Sequence, residues 1–368
     1  MSTTMRAARL HEPDTPFRID DIPIPDPGPG DALIAVEACG IVPNMRNIVR
    51  GGHWRTLPKL PAVMGLDTAG VIAKLGAGAA GLGLTEGDRV YVNPALSCGV
   101  CDYCRQGAAP LNCEQGALQG YFGFRPASAA LLAQYPYGGF AEYTMAPARN
   151  LVTLPAAVSF EAGARFGYLG TAFAALKAGG LRAGSTLAII GGTGTLGVNA
   201  VLFALAMGAA RIIPIARNAE RLARIEALAP GRITPIIIDG EDIAPRLRRA
   251  AGGIGPGLVL DCLAAGAGPE TTAQAIDAMM RGGTLVNIGA LNQPLEIHPM
   301  RFMSTALNYR GSNWFSVAEG QEMGLLADAG LVDFEIFEHR MFPLEDVNDA
   351  LAASGENPGG FVNIVVKP

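Results

Sequence analysis

The chain has 368 residues, of which 49% are hydrophobic and 17% are charged. This composition can fill one large or two ordinary hydrophobic cores, and it excludes wholesale disorder. The 28 basic and 33 acidic side chains give a formal net charge of −5. That balance argues against a nucleic-acid-binding surface, which needs clustered positive charge.

The sequence also bears on localisation. It contains no run of about 18 uninterrupted apolar residues, so we expect no membrane span. The first residues lack the apolar core of a signal peptide, which favours a cytoplasmic protein. The chain has six cysteines, and in that compartment they favour metal or redox chemistry over disulfides.

Residues 1–160 are predicted to form a β-rich domain. Short apolar runs at 32–36 and 90–92 are separated by turns rich in Gly, Pro and Asp. Four prolines exclude a helix or a central strand over residues 21–30. We expect that stretch to be an extended surface connection.

The pattern changes after residue 160. Apolar runs of strand length now occur at 186–190, 211–216, 234–238, 257–261, 284–288 and 307–312. Helical patterns lie between them, at 196–207, 219–228, 242–251 and 270–280. This alternation predicts an α/β domain with a doubly wound parallel sheet over residues 161–312. Residues 313–368, with helices at 317–329 and 344–353 and a strand at 361–367, are too few to fold alone. We expect them to return to the first domain.

A glycine-rich turn follows the predicted strand 186–190. The strand runs into Gly192-Thr193-Gly194-Thr195-Leu196-Gly197 and then a helix, which is G-x-G-x-x-G in a dinucleotide-binding context. In such a turn the first Gly makes the sharp bend. The second lets a pyrophosphate approach the backbone, and the third lets helix and strand pack closely. The helix N-terminus supplies unpaired N–H groups and the positive end of the dipole. The alternative is a glycine-rich turn without a ligand.

The end of the second strand of this domain predicts the form of the cofactor. An NAD site usually has Asp or Glu there, about 20 residues after the glycines, to bind the ribose 2′-hydroxyl. Here that position is Ala216, and the next residue, Arg217, can bind a 2′-phosphate with two hydrogen bonds. Asn218 adds a donor and Arg221 adds charge. We therefore expect NADP(H) rather than NAD(H), the alternative being that Arg217 is a solvated loop arginine.

Four cysteines, Cys98, Cys101, Cys104 and Cys113, lie within sixteen residues in a lobe at 95–115. Four thiolates on short loops are the ligand set of tetrahedral Zn²⁺. Because all four positions are cysteine, no position remains for water, and the site is predicted to be structural rather than catalytic. Disulfides and an iron–sulfur cluster are the alternatives.

With these features the chain resembles the zinc-type alcohol dehydrogenase branch of the medium-chain dehydrogenase/reductase superfamily. The resemblance covers nearly the whole chain and includes the cysteine lobe, the glycine turn, and the stretches at 5–8, 38–41, 138–143 and 339–344. It implies a GroES-like catalytic domain built from both termini, a central Rossmann domain and an active site in the cleft between them. It also implies a homodimer or homotetramer. By the same resemblance, Cys262, Ile288 and Gly289 join the candidate cofactor-binding residues.

The chain departs from the family at the positions that hold catalytic zinc. The family usually reads Cys-Gly-Ile-Cys-His-Thr-Asp, where this chain has Val42 at the ligand cysteine and Asn44 at the proton-relay position. The family's Gly-His-Glu becomes Gly65-Leu66-Asp67, and the third ligand position falls around Gly167 and Tyr168. One or no ligands cannot hold Zn²⁺, so we expect no catalytic zinc.

Without that metal, hydrogen-bond donors must stabilise the negative charge that hydride transfer builds on a carbonyl oxygen. The candidate catalytic residues are Asn44, Tyr168, Asp67 and His53. Asp67 is expected either to orient a donor or to pair with Arg46. Each has an ordinary alternative: a helix cap for Asn44, a core aromatic for Tyr168 and an exposed loop residue for His53.

These features together predict an NADPH-dependent oxidoreductase that interconverts the carbonyl and alcohol forms of a small apolar substrate. The first alternative is an ene-reductase or quinone reductase that acts on an activated C=C bond. The others are a non-catalytic NADPH-binding protein and a zinc-dependent dehydrogenase with reassigned ligands. The aromatic segment 115–137 either walls a substrate pocket or covers a subunit interface.

Overall fold

The computed structural model describes residues 3–51, 55–356 and 359–368, which form two compact units. Unit 1 comprises Met1–Gly167, Trp314–Pro358 and Val362–Pro368. Unit 2 comprises Tyr168–Asn313 and Gly359–Phe361. Within the described part of the chain, no helix is long and apolar enough to cross a membrane.

The N-terminal part of unit 1 consists mainly of short strands. These are β1 (Thr4–Leu10), β2 (Arg18–Pro23), β3 (Asp31–Gly40), β4 (Ala62–Val63), β5 (Asp67–Leu75), β6 (Arg89–Val92), β7 (Ala95–Leu96), β8 (Ala117–Leu118), β9 (Phe122–Gly123), β10 (Tyr143–Pro147) and β11 (Leu151–Thr153). The helices among them are short: α1 (Met45–Val49), α2 (Asp102–Arg105), α3 (Ala129–Gln134) and α4 (Phe160–Gly163).

Helix α5 (Phe166–Ala178) precedes the strands of unit 2, and strands and helices then alternate. The strands are β12 (Thr186–Ile190), β13 (Arg211–Ala216), β14 (Ile236–Ile237), β15 (Leu258–Asp261), β16 (Thr284–Asn287) and β17 (Asn308–Gly311). The helices are α6 (Thr195–Ala206), α7 (Ala219–Glu226), α8 (Ile243–Ala250), α9 (Glu270–Ala278) and α10 (Pro299–Thr305).

The last part of the chain contains α11 (Val317–Asp328), β18 (Glu338–Pro343), α12 (Val347–Ser354) and β19 (Val362–Lys367). Strand β19 pairs with β3 of the N-terminal part, and β18 runs parallel to β19. The larger sheet of unit 1 therefore has the order β11-β6-β5-β3-β19-β18, with β10 also on β3. Two three-stranded sheets, β2-β1-β4 and β7-β8-β9, complete this unit.

Unit 2 has one six-stranded sheet of order β14-β13-β12-β15-β16-β17, and all its pairings are parallel. The order reverses at β12, which is the switch point where α/β sheets bind ligands at their carboxyl ends. The central strands are continuous apolar runs because helices cover both faces. The doubly wound parallel sheet predicted from the sequence is confirmed.

Local differences from the predicted elements follow from proline and from strand ends. The strand predicted at 234–238 is only Ile236–Ile237, since Pro235 has no N–H to donate. The proline-rich stretch begins inside β2, which pairs with β1 and lies at the edge of its sheet. The helix predicted at 344–353 begins at Val347, after a single 3₁₀ turn.

The aromatic segment 115–137 packs inside unit 1. Tyr121, Phe122 and Tyr135 are each 5% exposed. The Tyr135 hydroxyl donates to Asp31, and the Arg55 guanidinium lies over the Phe122 ring. These three aromatic side chains therefore belong to the core of unit 1.

Candidate functional site

The glycine turn lies at the carboxyl end of β12, in the middle of the unit 2 sheet. The sharp bend is made by Gly191, with φ +74°, and not by Gly192 as the motif predicts. The N–H groups of Gly191 and Gly192 both donate to the Ile215 carbonyl of β13. Gly192 instead lets the turn lie close to β13, because a Cβ at this position would be only 2.7 Å from the Pro214 side chain.

The two later glycines leave the start of α6 open. Gly194 is exposed and is the N-cap of α6, with no side chain to cap it. The N–H groups of Thr195, Leu196 and Gly197 have no acceptor within the helix, and they carry the positive end of its dipole. A Cβ at Gly197 would overlap the Gly191 carbonyl oxygen, so glycine keeps helix and turn together. This cradle fits the pyrophosphate of a dinucleotide.

The residues after β13 have different roles in the structure. Arg217 is exposed, and within the described residues no hydrogen bond or ion pair engages its guanidinium. Asn218 is the N-cap of α7, and its side-chain oxygen accepts from the Arg221 N–H at 2.8 Å. The Arg221 guanidinium packs against Gly359. Of the two arginines predicted to bind the 2′-phosphate, Arg217 is exposed and Arg221 is half-buried.

Cys262, Ile288 and Gly289 lie near the glycine turn, where β15 and β16 end. The N–H groups of Ile288 and Gly289 donate to the Asp261 carbonyl at 3.0 and 2.9 Å. A Cβ on Gly191 would lie 3.1 Å from the Cys262 carbonyl oxygen. Burial, and then the nearby Asp261 carboxylate, raise the pKa of the Cys262 thiol well above its ordinary value. This thiol stays protonated and is a poor nucleophile.

The cysteine lobe brings its four sulfur atoms together. The Sγ atoms of Cys98, Cys101, Cys104 and Cys113 all lie within 4.8 Å of one another, and the cysteines are not in disulfides. The Cys101 sulfur is 3.6 Å from that of Cys104 and 3.8 Å from that of Cys113. A tetrahedral Zn²⁺ with Zn–S bonds of about 2.3 Å requires sulfurs about 3.8 Å apart. The geometry therefore fits zinc.

Backbone N–H groups support the same thiolates. The N–H of Cys98 donates to the Cys113 sulfur at 3.3 Å, and the N–H of Cys101 donates to the Cys98 sulfur at 3.4 Å. N–H groups around Cys101 lower the pKa of its thiol to about 6, whereas burial raises the pKa of Cys113 to about 12. The N–H donors favour a thiolate at Cys101, and the distances between the four sulfurs carry the assignment of the site.

Asp67 lies at the start of β5 and is buried, with 1% exposure. Its carboxylate accepts from the Tyr91 hydroxyl at 2.9 Å and from the Gly167 N–H. Burial raises the pKa of Asp67 to about 7, against the opposing effects of these hydrogen bonds and of Arg165. The predicted alternative of a pair with Arg46 is wrong, since the Arg46 guanidinium is exposed and packs against Gly355.

The other predicted catalytic residues are distributed over both units. Asn44 is half-buried at the N-cap of α1, but its side chain makes no capping bond and instead accepts from the Asn47 side chain at 2.9 Å. Tyr168 is half-buried in α5 and belongs to unit 2. His53 lies outside the described residues.

Two family models match the chain. The alcohol dehydrogenase GroES-like domain matches residues 28–156, and the zinc-binding dehydrogenase domain matches residues 195–328. An alcohol dehydrogenase of Geobacillus stearothermophilus is 30% identical over 350 residues, which cover 94% of each chain. A second, from Moraxella sp. strain TAE123, is 31% identical over the same share of both chains.

This chain belongs to the zinc-type alcohol dehydrogenase family of medium-chain dehydrogenases/reductases. A crystal structure described as a zinc-binding dehydrogenase of Sinorhizobium meliloti 1021 bound to NADP superimposes with a TM-score of 0.81, at 26% identity and full coverage of both chains. A thermostable alcohol dehydrogenase of Pyrobaculum aerophilum gives a TM-score of 0.79 at 25% identity, covering 99% of this chain and all of that one. The predicted family and fold class, GroES-like plus Rossmann, are confirmed. The protein is an alcohol dehydrogenase-like oxidoreductase, and its family implies a small-molecule substrate.

Val42, Leu66 and Gly167, which stand at positions that the resemblance assigns to catalytic zinc ligands, all lie in unit 1. Val42 and Leu66 are each 2% exposed and are apolar. A side chain at Gly167 would overlap the Asp67 carboxylate. Among the side chains that the structure describes, the four lobe cysteines are the one metal-binding group of three or more ligands.

Two residues, one beside Asp67 and one in the glycine turn, were missed by sequence reasoning. Tyr91 is a fully buried residue of β6, and only the pairing of β5 with β6 reveals that its hydroxyl reaches Asp67. Gly191 carries the bend of the glycine turn. The double glycine directly after the strand is the signal that could have identified it.

Proposed function

We propose that this protein is an NADP(H)-dependent oxidoreductase that transfers hydride between the cofactor and the carbonyl or alcohol group of a small apolar substrate, without a catalytic zinc ion. The observation that carries the proposal is the open N-terminus of α6 at the glycine turn, with the exposed Arg217 at the end of the adjacent strand. The N-terminus of α6 binds the pyrophosphate, and Arg217 binds the 2′-phosphate. The NADP-bound relative from Sinorhizobium meliloti supports the same cofactor.

NADPH, when bound, supplies a hydride, which carries two electrons to the carbonyl carbon. The carbonyl oxygen then takes a proton, and the alcohol results. The protein must therefore place hydrogen-bond donors at that oxygen, and we assign this role to Asn44 and Tyr168, with His53 as a further candidate. Since the Asn44 amide does not ionise, the proton itself comes from the Tyr168 hydroxyl, from His53 or from water. The assignment follows the family's proton-relay and third-ligand positions.

A zinc ion would stabilise the developing oxyanion by several kcal/mol, and one well-placed hydrogen-bond donor supplies about 3–4 kcal/mol. The buried apolar side chains of Val42 and Leu66, and the overlap between position 167 and Asp67, support a mechanism without zinc. Donors alone favour substrates that already delocalise charge. We therefore propose enones, quinones, dicarbonyls and activated ketones or aldehydes as substrates.

Asp67 has a positioning role in this proposal. Because it is buried and accepts from the Tyr91 hydroxyl, it fixes the orientation of that ring rather than contacting substrate. We also propose one structural Zn²⁺ per chain, held by Cys98, Cys101, Cys104 and Cys113. The S–S distances and the N–H donors around these sulfurs support it.

The test measures NADPH and NADH oxidation with a panel of carbonyl compounds, for wild type and Arg217→Ala. Loss of a charged hydrogen bond to the 2′-phosphate should raise the Michaelis constant for NADPH about ten- to a hundredfold and change that for NADH little. Arg211→Ala, at the exposed amino end of the same strand, is the matched control. Equal effects of Arg217→Ala on both cofactors would refute the assignment. No turnover despite tight NADPH binding would favour a non-catalytic protein.

The second candidate function is reduction of an activated C=C bond. The apolar catalytic-zinc positions favour it, since saturation of an enone needs no Lewis acid at an isolated carbonyl. Product analysis with an enone separates the two functions. A saturated ketone supports C=C reduction, and an allylic alcohol supports carbonyl reduction.

We further propose a homo-oligomer, with the open edge of the unit 2 sheet as the contact between copies. All four residues of the edge strand β17 are exposed, and the preceding α10 exposes Met300 and Met303 to 62% and 70%. Unpaired edge strands with apolar neighbours pair readily with a second copy. Sedimentation should give at least a dimer for wild type and a smaller species for Met303→Asp. A monomeric wild type would exclude the contact.

A further inference from the structure

A short segment near the C-terminus, Gly359–Phe361, packs on the glycine turn of unit 2. We call it the C-terminal strap. The Gly360 N–H donates to the Thr193 carbonyl at 3.0 Å. A Cβ at Gly360 would overlap the Gly194 carbonyl oxygen and would lie 2.5 Å from the Val198 side chain. The strap backbone is therefore in contact with both the turn and the first turns of α6.

The same strap contacts helix α7. The Arg224 guanidinium lies 3.9 Å from the centroid of the Phe361 ring, which is 5% exposed. A Cβ at Gly359, whose φ is +95°, would lie 2.9 Å from the Arg221 guanidinium carbon. Helix α7 begins one residue after Asn218, and Arg217 directly precedes that N-cap. The strap thus joins the glycine turn to the helix that follows Arg217.

We propose that the C-terminal strap is a positioning element for NADP(H), which sets the spacing between the pyrophosphate-binding turn and Arg217. Gly360 fixes the Thr193 peptide, so the strap sets the shape of a turn that every dinucleotide uses. Phe361 fixes α7 through Arg224. It thereby sets the position of Arg217, the residue that distinguishes NADPH from NADH. This inference rests on the proposed function, because it assumes that the turn and Arg217 bind the cofactor.

Two substitutions separate these contributions. In Gly360→Ala the new methyl group displaces the turn, so the dissociation constants of NADPH and NADH should both rise at least about tenfold. In Phe361→Leu the Arg224 contact is lost and α7 can shift. The dissociation constant of NADPH should then rise about two- to fivefold, and that of NADH should change less. Both constants are measured by titration of the full-length protein with each reduced cofactor, beside the thermal midpoint of the apoprotein.

The chain offers a matched control for each variant. Gly81→Ala adds a methyl group in open space, because nothing lies within 4 Å of that position. Phe160→Leu removes a similar stack, under Arg89 at 4.4 Å in unit 1. Neither should change either dissociation constant, whatever it does to the thermal midpoint.

The outcomes are distinct. Weaker binding of both cofactors by Gly360→Ala, with selective loss of NADPH affinity in Phe361→Leu, supports the strap. Wild-type dissociation constants in both variants, even with a lower thermal midpoint, overturn it and leave the proposed function standing. A wild type that binds neither cofactor overturns both. If Gly360→Ala does not fold, Phe361→Leu decides, because equal affinities for NADPH in that variant and in wild type contradict the strap.

Discussion

Two parts of unit 1 surround metal-ligand positions in opposite ways. In the cysteine lobe, four thiols converge within 4.8 Å and backbone N–H groups point at their sulfurs. At the catalytic-zinc positions, Val42 and Leu66 are buried and apolar, and the Asp67 carboxylate takes up the space beside Gly167. The contrast underlies the proposed function, in which the cysteine lobe holds zinc and the cofactor works without a metal ion. The predictions below test each half of it.

The largest effect is expected from breaking the cysteine lobe. Cys101→Ser should lower the zinc content below one ion per chain and destabilise the fold by more than about 3 kcal/mol, because structural zinc contributes directly to folding. Elemental analysis and thermal unfolding measure the two effects. The hydride step should persist in the protein that remains folded, since the lobe is assigned no catalytic role.

The control is Cys262→Ser, which removes a cysteine outside the lobe and should leave zinc at one ion per chain. Two zinc ions in the wild type would contradict the contrast between the two regions. Full loss of hydride transfer in well-folded Cys101→Ser would contradict the structural role of the lobe.

The second prediction concerns Asp67 and pH. Burial raises its pKa from the ordinary 3.8 to about 7, so the folded protein keeps a proton that the unfolded chain releases. Ionisation therefore costs stability as the pH rises from about 4 to about 7, by up to about 4 kcal/mol. Asp67→Asn keeps an acceptor for Tyr91 and cannot ionise. Its free energy of unfolding should therefore exceed that of wild type at pH 8 and differ little from it at pH 4.5.

Urea unfolding of both proteins at the two pH values measures this difference. Asp21→Asn, at an exposed position of β2, is the control and should show no such change. The same stability difference at both pH values would mean that the folded protein does not hold a proton on Asp67.

Much of the fold could be predicted from the sequence because its signals are local. Continuous apolar strands between helical patterns specify a parallel sheet, and β12 and β13 have the predicted bounds. The cysteine spacing predicts a cluster because the ligands are close in the chain. Pro235 shortened a predicted strand, because a missing N–H matters only once the pairing is known.

The surroundings of the candidate site depend on contacts between distant residues. The partner of Asp67 is Tyr91, 24 residues away on the neighbouring strand, and no periodicity identifies it. The Asn218 side-chain oxygen caps α7, a contact that the motif did not predict, while its role as a donor to the 2′-phosphate stays a prediction. The strap contacts residues more than 130 positions earlier. Such pairs are fixed by tertiary packing, which propensity and motif do not encode.

The smallest effect is expected at Gly167, and it tests directly what takes up the third zinc-ligand position. Position 167 lies in α5, and in a helix alanine is normally more favourable than glycine by about 1 kcal/mol. Here the added methyl group overlaps the Asp67 carboxylate, so Gly167→Ala should instead cost about 1–3 kcal/mol. In an Asp67→Ala background the overlap is gone, and the same substitution should cost little or should stabilise the protein. A double-mutant cycle by urea unfolding gives this coupling, with Gly81→Ala as the unobstructed control. An equal cost of Gly167→Ala in both backgrounds would mean that the carboxylate does not block this position, and a metal ligand could then be introduced there.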